Sequence, residues 1–149
     1  MATPDKIERE ITIDAPIERV WALVAEPGWW IGDGDPSDHR HWREGELEVV
    51  EDPRHGRFPI RIEAIEPPHY IAYHWAFAFP GEEPHAGNST RVEFWLSEQD
   101  GGILLRVVES GFTSLAMLDE KRNSSFDGNV KGWMKMLDAL KMRAEHILA

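Results

Sequence analysis

Strand-like alternation puts Ile103, Leu105, Val107 and Glu109 on one face, so an otherwise apolar row ends in a carboxylate. Burial raises the pKa of such a group unless a cation or hydrogen bonds meet it. It then suits two tasks: orienting a ligand hydroxyl or amine, or moving a proton as a general acid or base. Tyr73, whose phenol donates or accepts, is the natural second polar group, and these two are the candidate catalytic residues. The plainer alternative makes Glu109 a strand-end residue that reaches solvent or pairs with Arg9 or Arg61. Around it stand Tyr73, Trp75, Phe77, Phe94, Phe112 and Trp133. If their sheet curves away from a covering helix they line an apolar pocket; otherwise they form a plain packed core.

A second polar group, Asp33, Asp35, Asp38, His39 and His41, lies in a Gly-rich stretch. It lacks the spacing and terminal Glu of a calcium hand, and its His pair lacks helical zinc spacing. It reads as a solvated loop holding no metal. With Trp30 and Trp42 the loop suits a lid over the pocket mouth, with Gly32 and Gly34 as hinges. There is no Cys, so thiolate chemistry and disulfides are excluded. No His stands in a triad pattern with Ser and Asp, and the GNST of residues 87–90 lacks the Lys and helix of a phosphate loop. No cofactor is expected.

The elements that must position these groups follow from periodicity. Ile7, Arg9, Ile11 and Ile13 alternate with Glu8, Glu10 and Thr12, which predicts a strand. Pro16 suits the first helical position and Glu18 the first turn, and Ile17, Val20, Trp21 and Val24 trace a short helix. Trp29-Trp30 fits a second short helix, followed by loop to residue 46. Residues 47–50 form a weak strand, and richer strands are expected at 57–65, 70–79, 90–96 and 103–109. Val130, Trp133, Leu137, Leu140, Ala144 and Ile147 recur at three- and four-residue steps. They predict a helix of roughly 20 residues or more, with Gly128 and Gly132 near its start. This order is α+β. It implies one domain, residues 1–149, with an antiparallel sheet of about six strands under a long C-terminal helix.

The net charge of −11 repels phosphate backbones, so no nucleic acid is expected as partner. No run of about 18 apolar residues exists, so no membrane span is expected. The charged N-terminus lacks an apolar run and predicts no signal peptide, which leaves the cytoplasm as the expected location. The 7 Trp favour a core or pocket over a surface.

The motifs resemble a known family. They are Ile13-Asp14-Ala15-Pro16 with Val20-Trp21, the Trp29-Trp30 pair, IEAIEPP leading into Tyr73-His74-Trp75, and Asn88 to Phe94. Val107 to Phe112 and Asn129-Val130-Lys131-Gly132-Trp133 complete the ordered set. Together they resemble the START-like (Bet v-like) superfamily, in its bacterial branch related to the C-terminal domain of the activator of the 90-kDa heat-shock protein ATPase. The resemblance implies a helix-grip fold: a curved sheet wrapped on the long helix, two short helices after the first strand, and a hydrophobic cavity between.

The first functional expectation is therefore binding of a small apolar or aromatic ligand. Its contacts would be Trp30, Ile62, Ile71, Tyr73, Trp75, Phe77, Phe94, Leu105, Val107, Glu109, Phe112, Val130, Trp133 and Leu137. The second is a co-chaperone-like interaction module. It needs an exposed apolar patch, for which Trp30 and Trp95 are the residues available outside the core. The third is a cyclase, lyase or hydrolase using Glu109 and Tyr73. Either a monomer or a homodimer fits.

Overall fold

In the computed structural model, residues 4–32, 36–79 and 81–146 are described. Strand β1 (Lys6–Ile13) leads into helix α1 (Ile17–Val24), and a 3-10 turn spans Pro36–Asp38. Six strands follow: β2 (Arg40–Glu44), β3 (Leu47–Asp52), β4 (Gly56–Glu66), β5 (Tyr70–Trp75), β6 (Thr90–Gln99) and β7 (Gly102–Ser110). A second 3-10 turn, Phe112–Ser114, precedes helix α2 (Asp119–Glu145). The strands form one antiparallel sheet in the order β1-β7-β6-β5-β4-β3-β2.

Local chemistry explains the register. Asp100 and Gly101 both take positive φ, 48° and 83°, as a tight hairpin turn with the right twist requires. That turn sets Leu96 opposite Leu105 and Val92 opposite Glu109. Val92 also faces Tyr73, so Tyr73, Val92 and Glu109 form one row across β5, β6 and β7. A bulge between Ile62 and Ala64 shifts β4 against β5.

Helix α2 lays Trp133, Leu137, Leu140 and Ala144 onto the inner face of the sheet. Its C-terminal end is pinned to β1. Lys141 Nζ donates to the Thr12 carbonyl at 2.6 Å, and Glu145 accepts from the Asp14 amide at 2.7 Å. Near its start, Arg122 donates to the Leu115 and Met117 carbonyls.

Several expectations change. The helix-grip α+β architecture holds, with seven strands where about six were expected. The extra strand is β2, whose RHWRE is largely exposed and carries no apolar alternation. Trp29 and Trp30 sit in turns, and the short helical element after α1 is the 3-10 turn at Pro36–Asp38. Strand β5 stops at Trp75. Helix α2 is 27 residues long, so Gly128 and Gly132 lie in its interior. Its first ten residues are mostly polar, which hid them from the periodicity. Asp33, Gly34, Asp35 and Ile147 lie outside the described residues.

Candidate functional site

Glu109 is fully buried, and the carboxylate is met by four donors from three elements. Trp75 Nε1 of β5 and Thr90 Oγ1 of β6 donate to Oε2 at 3.0 and 2.5 Å. Asn129 Nδ2 and Trp133 Nε1 of α2 donate to Oε1 at 3.0 and 2.8 Å. Burial pushes its pKa above the ordinary carboxylate value, while the bonds from Thr90, Trp133, Trp75 and Asn129 pull against that rise. No cation is among these partners. Arg9 donates to the Glu8 carbonyl and Arg61 to the Pro84 carbonyl, so neither is the counter-ion.

The four donors also accommodate a proton. Thr90 is the one partner whose hydroxyl can turn from donor to acceptor. A protonated Glu109 then donates to Thr90, while Trp75, Asn129 and Trp133 keep their bonds. The node thus holds either charge state.

Tyr73 lies in the same row, but its hydroxyl donates to the Val24 carbonyl at 2.9 Å, at the end of α1. Burial pushes its pKa well above the ordinary phenol value, with Glu26 and Glu48 adding to the rise. The structure therefore assigns the two polar groups to different partners. Tyr73→Phe is expected to lower stability by about 1 kcal/mol, the net worth of one buried hydrogen bond. Urea unfolding at several pH values checks this: the loss should be constant with pH, because Glu109 is not involved.

The aromatic residues form one interlocked cluster. Trp30 packs on Tyr73, Trp75, Phe94 and Trp133 with ring centroids 5.0, 5.5, 5.8 and 6.0 Å away. Trp29 adds Phe94 and Trp133 at 5.7 and 6.3 Å. These separations are the usual ones for packed rings, and the set fills the space between sheet and helix at this level. Ile71, Leu105, Val107, Phe112 and Leu137 are buried in the same cluster; Ile62, Phe77 and Val130 are partly buried against it.

Trp30 is 0% exposed, which corrects its placement outside the core. Trp42 shares no lid with it. Its ring lies 5.6 Å from the Arg40 guanidinium and 5.9 Å from that of Arg57, and its Nε1 bonds Glu44. Gly32 is fixed differently from a hinge: an added Cβ would come within 3.0 Å of Asp52 Oδ2.

Spacing in the sequence does not mark Thr90, Asn129 and Trp29 as site residues. The signal for the face of Thr90 is its alternation with Val92, Phe94 and Leu96. Asn129 stands four residues before Trp133, on the same helix face. His39, expected in a solvated loop, instead places its Nε2 3.0 Å from both the Ile31 carbonyl and Asp52 Oδ2. Asp52 also meets His55 Nδ1 at 3.0 Å and the amides of Arg54 and His55. Burial opposes its ionisation, but the His55 side chain and the two amides outweigh that and hold its pKa at about 2. Among the described residues no cluster has the makings of a metal site.

A seven-stranded antiparallel sheet gripping a long C-terminal helix around a buried carboxylate defines a helix-grip protein. The family model for Activator of Hsp90 ATPase homolog 1-like protein matches residues 14–145, and the chain belongs to that family, within the START-like superfamily. No curated protein matches the sequence. An X-ray structure of a Mesorhizobium loti protein is 19% identical with a TM-score of 0.69, covering 97% of this chain and 99% of that one. DynU16, described as a putative protein in the dynemicin biosynthetic locus, is 19% identical with a TM-score of 0.68, over 96% of this chain and 48% of that one. The solution structure of the Aha1 dimer from Colwellia psychrerythraea is 16% identical with a TM-score of 0.68, over 95% of this chain and 96% of that one. At such identities the likeness shows the fold. No helix among the described residues is long and apolar enough to cross a membrane.

Proposed function

We propose that the protein binds a small, largely apolar ligand carrying a hydrogen-bond acceptor, between the inner face of the sheet and α2. One observation carries the reading: Trp29 Nε1 and Trp30 Nε1 are buried donors with no acceptor. Buried polar groups are nearly always paired, and each unpaired one costs about 1–3 kcal/mol. Two adjacent orphans amid stacked rings suit a planar ligand that accepts from an indole and slots among the aromatics. The rings fill the gap in this structure, so the ligand enters by parting them beside the first half of α2. There the helix covers the core with the partly buried Phe126 and Val130. DynU16, whose description places it in a biosynthetic locus, offers a small-molecule setting for the same fold.

Acid–base chemistry by Glu109 and Tyr73 draws less support, because their polar atoms point to different partners. A chaperone-docking role rests on the family description rather than on a surface seen here.

Native mass spectrometry of the purified chain tests the reading. A low-mass adduct that is released on activation is expected, and Trp30→Phe should keep the fold while losing it. Bare chain alone, with an ordered water on each indole in a crystal structure, would overturn it. The same spectrum reads the subunit number, monomer or dimer.

A further inference from the structure

The outer face of the sheet carries a feature that the ligand reading does not use. Lys6, Ser110, Arg91, His74 and Arg61 are successive cross-strand partners on β1, β7, β6, β5 and β4. Three of the five are Lys or Arg and one is His, in a chain whose net charge is −11. Lys6 pairs with Glu8 at 2.9 Å, and Arg91 and His74 share Glu63, so Arg61 is the member of the row whose bond goes to a neutral carbonyl. The rest of this face is ion-paired as well, as in Arg106 with Glu8 at 2.6 Å.

The row is also roofed. Residues 84–87 and Ser89 overhang it, and a cleft of about 560 Å³ lies between them and Arg61, His74, Arg91 and Ser110. That volume falls within the range of small-molecule sites. One acid enters it. Glu63, at the β4 bulge, meets His74 Nε2 at 2.6 Å and Arg91 Nε at 3.0 Å. The Arg91 contact is off the hydrogen-bond axis and leaves that buried Nε without an acceptor in line. Glu93 is the other nearby carboxylate, 3.5 Å from Arg91 Nη2. Arg61 spends one Nη1 bond on the Pro84 carbonyl, which holds the overhang in place.

We propose that this cleft is a second site, for a small phosphate-bearing solute. Two guanidinium groups two strands apart, about 10 Å at the backbone, approach a bound group from two sides. Arg91 Nη2 donates to the Tyr70 hydroxyl at 3.2 Å and Arg61 Nη1 to Pro84, and the remaining guanidinium N–H groups suit phosphate oxygens. Ser110 and Ser114 on the cleft wall add hydroxyls for the rest of a tetrahedral group, while Ser89 Oγ gives its proton to the His85 carbonyl at 2.8 Å. The overhang and the acidic remainder of the surface select a free solute over an anionic lipid bilayer. This site is on the opposite face from Glu109, so it stands or falls separately from the internal one.

The probe is inorganic phosphate, titrated into the full chain at fixed ionic strength with chloride as balance, and followed by amide chemical shifts. Saturable shifts confined to the cleft are expected. Arg61→Gln with Arg91→Gln should weaken binding at least tenfold, while Arg43→Gln, on β2 and outside the row, should leave it unchanged. Glu63→Gln removes the competing acid and should tighten binding severalfold, a gain that damage to the fold cannot mimic. Linear shifts matched by chloride, no gain in Glu63→Gln, or binding only to phosphatidic acid vesicles would each overturn the proposal.

Discussion

Glu109→Leu is expected to remove about 4 kcal/mol or more of stability, a large part of the roughly 5–15 kcal/mol that holds a typical domain. Three buried donors lose their acceptor at about 1–3 kcal/mol each and the part-buried Asn129 loses less, and leucine returns only part of that through apolar burial. Glu109→Gln should cost less. Its amide oxygen serves Asn129 and Trp133, and its NH2 donates to a rotated Thr90 hydroxyl. Only the Trp75 N–H is left facing another donor. The pH dependence separates charge from packing. The folded-state pKa of Glu109 lies above its ordinary value of 4.5, so the native state binds the extra proton. Its contribution is full below that value and is lost as pH rises through the folded pKa. Glu109→Gln abolishes that fall. Asp52 runs the other way, with a folded pKa of about 2 against 3.8. Its contribution is present above 3.8 and is lost as pH falls through about 2. These two groups alone place maximum stability near pH 4, between their two ordinary values. Urea unfolding from about pH 2 to about pH 8 reads both limbs, and a Glu109→Gln profile that keeps the alkaline fall would refute the assignment.

Gly28→Ala is the second large effect, expected at about 2–4 kcal/mol. Gly28 has φ of 71°, a conformation that costs an L-residue about 1–2 kcal/mol. A Cβ there would also lie 2.8 Å from Val50 Cγ2 and 3.1 Å from the Cδ1 atoms of Ile31 and Ile60. Overpacking of a dense core adds about 1–3 kcal/mol. Because Gly28 directly precedes the Trp29-Trp30 pair, the near-ultraviolet circular dichroism of the aromatic cluster should change along with the melting temperature. Gly128→Ala is the matched control. It faces open space in the interior of α2 and should stabilise by about 0.5–1 kcal/mol. Equal effects at the two positions would contradict this account.

Residues that obey one periodicity were legible. The rows through β6 and β7 and the seam Trp133, Leu137, Leu140, Ala144 follow from alternation and helical spacing alone. Strand β2 was not legible, because an edge strand exposed along its length has no need of alternation. The first third of α2 was not, because its single apolar contact, Phe126, defines no stripe. At the site, Glu109 announced itself by breaking an apolar row. Its partners did not, since Thr90 and Asn129 are ordinary residues until register and helix docking bring them together. Adjacent aromatics such as Trp29 and Trp30 have no periodicity to assign a face. Whether large rings line a space or fill it depends on volumes in three dimensions, which spacing does not encode.

The place of β1 in the sheet has a consequence for the chain as it is made. Lys6 pairs with Ser110 and Ile13 with Ile103, so the first strand of this sheet in chain order waits for its last. Until β7 has left the ribosome, β1 lacks the strand it pairs with. The aromatic face lies bare longer still, because α2 follows the whole sheet in chain order. Pairing so distant in sequence closes slowly and leaves apolar surface open to other chains meanwhile. Nascent chains truncated within α2 should therefore be the species most dependent on chaperones during synthesis.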